Sequence, residues 1–157
     1  MEITRKKKNI DVIKEVLKQY IRDKNFRNTP ERYTILEEIY NMDQHFNVED
    51  LYLLMNEKNY HVSKATVYNT IDIFLDAGLI RKHQFGEKTG SPSFYEKSYF
   101  DKQHDHLVIY KKKSDKEIEE IIEFCDPRIQ GIKEAIENAF NVNIDSHSLY
   151  FYGTKKA

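Results

Sequence analysis

The hydrophobic period of this chain changes at Gly78, and that change constrains the fold more than any other feature. Residues 61–80, HVSKATVYNTIDIFLDAGLI, place Val67 and Ile71 at helical spacing behind Ser63, a residue suited to an N-cap. Glycine readily adopts the left-handed backbone conformation that ends many helices. The pattern therefore predicts a helix that runs from Ser63 to Gly78 and is followed by a different kind of structure.

After this glycine the apolar residues alternate, which is typical of strands. The segments LIRKHQF and SFYEKS predict a hairpin, with the Gly-rich stretch GEKTGSP as its turn. Upstream, helical spacing and capping residues predict three further helices, at Ile10 to about Lys24, Thr29-Pro30 to Asn41, and Val48 to about Asn59 behind Asn47. Helices followed by a hairpin indicate a winged helix, whose last helix enters the DNA major groove.

The C-terminal part follows another pattern. The segments HLVIY, IEEIIEF and HSLYFYG predict strands, with a helix from Asp126-Pro127 through Phe140 before the last of them. So small a β-β-α-β unit buries little apolar surface alone, and we expect it to pair with a second copy. The predicted fold class is α+β, with a winged-helix DNA-binding domain at 1–98, its wing at about 79–97, and a small α/β dimerisation domain at 99–157.

Composition narrows the protein class. The single cysteine, Cys125, allows no intramolecular disulfide and no CxxC zinc knuckle, and it fits the cytoplasm. No apolar run approaches the roughly 18 to 20 residues that span a membrane, so we expect no membrane partner. Residues 1–32 carry ten Lys/Arg against five Asp/Glu. This excess suits a polyanion, although a solvated helix face explains it equally well.

Two histidines stand one residue apart at the start of the predicted strand HLVIY. Alternation along a strand sends His104 and His106 to one side and Asp105 to the other, as a metal site requires. Polar surface histidines at a strand end are the alternative interpretation. Further residues with suitable chemistry are His45, Glu96 and Glu123. Within an apolar strand, an unpaired Glu123 would be costly to bury.

Several stretches together resemble the ferric uptake regulator family over roughly residues 20 to 153. ATVY followed by AGLI, then HDH and finally HSLYFYG form a specific combination. The resemblance implies a winged helix joined by a hinge to a dimerisation domain. The matching segments are TPERYTILEEI, HFNVEDLY, KATVYNTIDIFLDAGLI, FYE, HDHLV, IIEF and NIDSHSLYFYG.

The resemblance also implies a regulatory metal site between the two domains. Its ligand positions fall on His45, Glu96, His104, His106 and Glu123. Imidazole and carboxylate donors suit Fe(II), Mn(II), Co(II) or Zn(II), and Fe(II) is the expected cation in the cell. Peroxide-sensing members typically have aspartates at the positions of Glu96 and Glu123. The glutamates of this chain therefore favour the iron-responsive branch over the peroxide-sensing branch. Manganese-, zinc- and peroxide-responsive members remain the alternatives.

The chain departs from the family pattern at two other metal sites. Many members hold a structural zinc with two CxxC pairs, which this sequence lacks, so we expect no structural zinc bound by four cysteines. A second site in the dimerisation domain would use the positions of Gln103, Asp105, Gln130 and His147. Of these residues only Asp105 and His147 are common metal ligands, and the expected second site is weak or missing.

The predicted recognition helix carries the DNA-contacting candidates. Lys64, Thr66, Tyr68 and Asn69 lie near its N-terminal end, where such helices meet base edges. By resemblance, Tyr68 contacts thymine, Asn69 replaces a frequent arginine, and Arg27 occupies the position of a basic residue that enters an A·T-rich minor groove. For Lys64 a solvated helix-end charge is an equal alternative, and Thr66 equally suits packing.

These features predict a homodimeric repressor that binds A·T-rich operator DNA when divalent metal is present, and that controls metal uptake genes. We expect no enzyme activity. Two rival interpretations are a metal-dependent hydrolase and a winged-helix module for protein contacts with inert histidines. Catalytic metals keep an open coordination position and usually a nearby general base, whereas five protein ligands leave little room for substrate.

Overall fold

The computed structural model of the chain describes residues 1–85, 93–100, 104–113 and 117–157. These residues form two compact units, one of residues 1–84 and 93–100, the other of Phe85, 104–113 and 117–157. The described elements, in chain order, are α1 (Glu2–Asp23), α2 (Pro30–Asn41), α3 (Val48–Glu57), α4 (Lys64–Asp76), β1 (Ile80–Gln84), β2 (Ser93–Lys97), β3 (Asp105–Tyr110), β4 (Ile118–Phe124), α5 (Pro127–Phe140) and β5 (Tyr150–Thr154).

The first helix is longer than predicted. It begins at Glu2, whereas apolar spacing placed its start at Ile10. The first two turns consist mainly of charged residues that form helices well but face no core, so apolar periodicity does not reveal them. Among the described residues, no helix combines the length and the apolar character needed to cross a bilayer.

The helix ends follow most of the capping predictions. The side chains of Asn47 and Ser63 accept hydrogen bonds from backbone N–H groups three residues ahead, at 2.7 Å and 3.1 Å. Gly78 follows α4 with a φ of +70°, as its predicted stop requires. Thr29 is the N-cap of α2 as predicted, with an extended backbone and no side-chain cap hydrogen bond. Pro at the first helical position already fixes the backbone that enters α2.

The core of the first unit joins its helices to the hairpin. Antiparallel β1 and β2 pair from Ile80↔Lys97 to Gln84↔Ser93. The predicted turn between them, residues 86–92, lies outside the described residues. The helices and the hairpin share one cluster of buried apolar side chains, which includes Ile13, Leu17, Ile35, Leu36, Ile39, Leu51, Met55, Val67, Ile71, Phe74, Leu79 and Ile80.

The second unit is a three-stranded sheet with one helix. The strand order is β4-β3-β5, with β3 antiparallel to β4 and parallel to β5. The last strand begins at Tyr150, three residues later than the segment HSLYFYG predicts, because parallel pairing with β3 starts at His106↔Tyr150. The unit leaves several large apolar side chains exposed: Ile122, Ile132, Ile136, Phe140, Val142, Phe151 and Tyr152.

One buried tyrosine ties α2 to both flanks of the hairpin. The Tyr40 hydroxyl donates to the Leu79 carbonyl at 2.6 Å and accepts from the Tyr99 N–H at 3.3 Å. We expect Tyr40→Phe to lower the free energy of unfolding by about 1 kcal/mol, the usual net value of a hydrogen bond. Urea denaturation measures the loss. The matched control is Tyr60→Phe, an exposed tyrosine, and equal stability of the two variants would contradict the assignment.

Candidate metal centre and nucleic-acid interface

A short backbone bridge places two of the predicted ligands side by side in the first unit. The Phe46 N–H donates to the Tyr95 carbonyl at 3.0 Å, and the Tyr95 N–H donates to the Phe46 carbonyl at 2.8 Å. Both rings are buried and stack with centroids 5.8 Å apart. In an antiparallel bridge the flanking residues on one face are neighbours. His45 and Glu96 therefore lie next to each other, with His45 Nε2 2.9 Å from Glu96 Oε2.

Glu96 is buried, with 5% of its surface exposed, and nitrogen groups surround its carboxylate. Arg81 pairs with it across the hairpin, and Arg81 Nη2 lies 3.3 Å from Glu96 Oε1. His83 is the diagonal neighbour on the same strand, and its Nε2 lies 2.7 Å from the same oxygen. Because a buried carboxylate needs compensating donors or charge, these contacts explain how it is tolerated in this position.

The loop that carries His45 is also fastened to β2 by a side chain. Lys97 Nζ donates to the Met42 carbonyl at 2.8 Å and lies 3.8 Å from a carboxylate oxygen of Asp43. The Lys97 side chain is only 21% exposed. The loop is therefore held at both ends, by Lys97 at Met42 and by the bridge at Phe46.

In the second unit, strand register gathers the other three predicted ligands. His106 and Glu123 are directly opposite on β3 and β4. His104, two residues before His106, has its ring centroid 4.8 Å from the His106 ring, and its Nε2 lies 3.5 Å from Glu123 Oε1. One potential ligand atom of each residue lies within 4.8 Å of those of the other two. The predicted common side for His104 and His106 agrees with this arrangement.

The environments of these three residues differ. The His106 ring is buried and stacks on Tyr150 with centroids 5.5 Å apart, and it also contacts Phe85. The Glu123 side chain is 44% exposed. The cost of burying an unpaired Glu123 therefore does not arise in a single chain, because that end of β4 is open to solvent.

The two residues of the expected weak second site are also neighbours. His147 Nε2 lies 2.8 Å from Asp105 Oδ1, and Asp105 is almost fully buried. Gln130, at a third position of that site, donates from α5 to Glu134 at 3.1 Å. The fourth position, Gln103, lies outside the described residues.

The start of α4 presents the predicted DNA-contacting residues in different ways. Tyr68 is 50% exposed, and Asn69 is exposed as well. Lys64 Nζ lies 2.9 Å from Glu49 Oε2, and this hydrogen bond raises the pKa of Lys64 above its ordinary value. The Thr66 hydroxyl lies 2.8 Å from that of Ser63 at the cap. Lys64 is thus ion-paired with Glu49, while its side chain remains about half exposed.

A polar groove joins Arg27 to this face of α4. Thr66 and Asn69 line it together with Arg27, and so do two residues that sequence reasoning missed, Arg32 and His61. Arg32 donates to the Arg27 carbonyl near the start of α2. Two arginines and the N-termini of α2 and α4 lie along this groove and suit phosphate groups, and the groove also includes the carboxylate of Glu31.

Sequence reasoning also missed Arg81 and His83, which contact Glu96. Alternation in LIRKHQF places the two on one face of β1. Only the register of the hairpin shows that this face meets Glu96, and register cannot be read across so long a predicted turn.

Comparisons with known proteins agree with this architecture. The sequence pattern of the ferric uptake regulator family matches residues 23–152. The ferric uptake regulation protein of Vibrio vulnificus is 36% identical over 136 residues, which cover 86% of this chain and 85% of that protein.

Solved structures of ferric uptake regulators are also similar to this chain. The ferric uptake regulator of Vibrio cholerae, described with DNA-binding domains, is similar with a TM-score of 0.69 and 33% identity, and the match covers 87% of this chain and 98% of that one. The regulator of Pseudomonas aeruginosa, solved with manganese, has a TM-score of 0.70 and 28% identity, with 89% and 98% covered. The α+β architecture and the resemblance inferred from sequence are confirmed.

Lys97 provides a test of how the loop that carries His45 is held. We expect Lys97→Met to lower the free energy of unfolding by about 1 kcal/mol, because the Met42 carbonyl loses a charged donor. Amide hydrogen exchange should quicken in residues 42–46 before global unfolding. Lys82→Met, on the exposed part of β1, is the control. Identical exchange in the two variants would show that Lys97 does not fasten the loop.

Proposed function

This chain belongs to the ferric uptake regulator family, and on that premise we propose that it represses metal uptake genes in response to cellular Fe(II). The family membership makes it a metal-responsive, DNA-binding regulator. The single observation that carries the proposal is that each unit holds an incomplete set of metal donors. The winged-helix unit contributes His45 and Glu96, and the sheet unit contributes His104, His106 and Glu123.

We assign all five residues to one regulatory metal site. The donor chemistry fits a divalent transition metal, because imidazoles and carboxylates without thiolates suit Fe(II), Mn(II), Co(II) and Zn(II). When bound, the cation supplies positive charge that offsets the two carboxylates and coordination bonds that engage both units. The name of the Vibrio vulnificus relative favours iron, and the manganese in the Pseudomonas structure supports substitution by Mn(II).

The mechanism is thermodynamic linkage between metal and operator. An arrangement in which residues of both units can ligate together binds the cation better than one in which they cannot. If the same arrangement binds operator DNA better, metal and operator strengthen each other's binding by the same factor. His45 and Glu96 make this contact for the DNA-binding unit, so their fixed placement beside β2 transmits the response.

For the operator we assign an A·T-rich duplex. Tyr68 and Asn69 present exposed side chains on α4 for base edges, and asparagine is well suited to adenine in the major groove. Arg27 reaches a minor groove, and Thr66 contacts the backbone. Lys64 adds a backbone contact when its ion pair with Glu49 opens. We infer a cytoplasmic location for this regulator.

The dimer forms through the sheet unit. Its exposed apolar side chains, such as Ile136, Phe140 and Phe151, would be covered by a second copy. With one cysteine in the sequence, a zinc site built from four cysteines is not part of the proposal. Asp105 and His147 contact each other directly, which supports a weak second metal site at most.

Removal of two imidazoles tests the metal response. We expect metal to raise operator affinity of the unaltered protein by about 5- to 150-fold, the usual range of such coupling. The variant His104→Ala/His106→Ala should remain a folded dimer but lose this gain. Fluorescence anisotropy with an A·T-rich inverted repeat, with Mn(II) and with chelator, measures both affinities. Unchanged metal dependence in the variant would refute the assignment.

The matched pair on β4 controls for charge. Glu123→Gln should weaken the metal response, whereas Glu119→Gln, four residues away and paired with Lys155 at 2.9 Å, should leave it intact. A common loss in both variants would indicate a general electrostatic effect rather than ligation.

The ion pair between Lys64 and Glu49 gives a second test, directed at DNA. Both side chains are about half exposed, so Glu49→Gln should change stability by less than about 1 kcal/mol. The released Lys64 can then neutralise one more phosphate, and the slope of log affinity against log salt should steepen by about 0.9. In a Lys64→Gln background the same substitution should leave the slope unchanged. An equal steepening there would exclude Lys64 as the cause.

A further inference from the structure

The two oxygens of the Glu96 carboxylate have different partners. Oε1 faces the two β1 side chains, with His83 Nε2 at 2.7 Å and Arg81 Nη2 at 3.3 Å. Oε2 faces His45, whose Nε2 lies at 2.9 Å. Of these three partners, His45 is the one that we assign as a metal ligand, so Oε2 contacts a member of the ligand set and Oε1 contacts β1.

The fold fixes this division. Arg81 is the cross-strand partner of Glu96, and His83 is the diagonal neighbour on the same face of the hairpin. The Phe46–Tyr95 bridge fixes the backbone directly before Glu96. The His83 side chain is only 10% exposed, so it has little freedom to turn away. An ionised carboxylate only accepts hydrogen bonds, and the His83 Nε2–H therefore donates to it.

We propose that His83 is a positioning residue for the metal site, and that with Arg81 it holds Glu96 Oε1 so that Oε2 binds the cation. This inference rests on the proposed function, since it assumes that Glu96 ligates metal. Its physical basis is that hydrogen-bonded outer partners orient ligating carboxylates and reduce their freedom before metal arrives. An oxygen that already accepts from two nitrogen donors is a poor second ligand atom. Glu96 therefore coordinates through one oxygen.

The competing role for His83 is direct ligation of the metal, because its ring lies near His45. The His45 and His83 ring centroids are 5.5 Å apart. Glutamine separates the two roles, because its amide retains a hydrogen-bond donor for Oε1 but is a weak ligand for a transition metal. Leucine has a similar volume and provides neither function. Rescue by glutamine therefore reports positioning, and failure of rescue reports ligation.

The experiment is an anaerobic Co(II) titration of the full-length protein, followed by its visible absorption. We expect His83→Leu to bind Co(II) about 10- to 100-fold more weakly, the usual loss when a partner of a metal ligand is removed. Its d–d bands should also change, because Glu96 is freed to coordinate through both oxygens. His83→Gln should restore the affinity and the spectrum of the unaltered protein.

Two outcomes overturn the inference. In one, His83→Leu binds Co(II) with unaltered affinity and spectrum. In the other, His83→Gln is as impaired as His83→Leu. If circular dichroism shows that His83→Leu is unfolded, Arg81→Met takes its place against Lys82→Met, and an unchanged spectrum in Arg81→Met then counts against the inference. Failure of the proposed function is distinct, because there the His104→Ala/His106→Ala variant would bind Co(II) as the unaltered protein does.

Discussion

The pair of backbone hydrogen bonds between Phe46 and Tyr95 is the interaction on which the rest of the winged-helix donor geometry depends. It joins the loop after α2 to the second hairpin strand, two segments about fifty residues apart in sequence. Without it, His45 would belong to a connection with no fixed relation to Glu96. The rings of the two bridging residues are stacked and buried. Hydrogen bonds in such a low-dielectric environment are stronger than in water. The packing of Phe46 against Tyr95 therefore fixes the position of His45 beside Glu96.

The buried Glu96 carboxylate then determines the electrostatics of the site. Desolvation of an anion is costly unless donors or cations compensate, and here β1 supplies part of the compensation through Arg81 and His83. In the proposed site a divalent cation would supply further positive charge. In the proposed site one unit would contribute two donors and the other three. Binding energy would then be concentrated in an arrangement that uses both sets, which is the condition for metal to bias DNA binding.

Much of this arrangement could be predicted from sequence, and the limits have physical causes. Capping at Asn47 and Ser63 and the left-handed stop at Gly78 are local, so short segments reveal them. The alternation of His104 and His106 is likewise local to one strand. The roles of Arg81 and His83 depend on hairpin register, which is a property of two strands and not of one. The engagement of Lys64 by Glu49 depends on how α3 and α4 pack. The start of α1 at Glu2 was not predicted, because the helix propensity of the charged residues, and not apolar periodicity, extends the helix to this point.

The sheet unit gains little packing from its own helix. Helix α5 has fourteen residues and none of them is buried, while Phe140 and Ile132 are more than half exposed. A helix whose apolar side chains remain largely in water gains little from tertiary packing, and such helices are marginal alone. The apolar surface of a second copy would supply that packing, so folding of this unit and association are coupled in the proposed dimer. In the proposed mechanism the regulatory cation would therefore act on a protein that is already dimeric, and its binding energy would be available to the DNA-binding units.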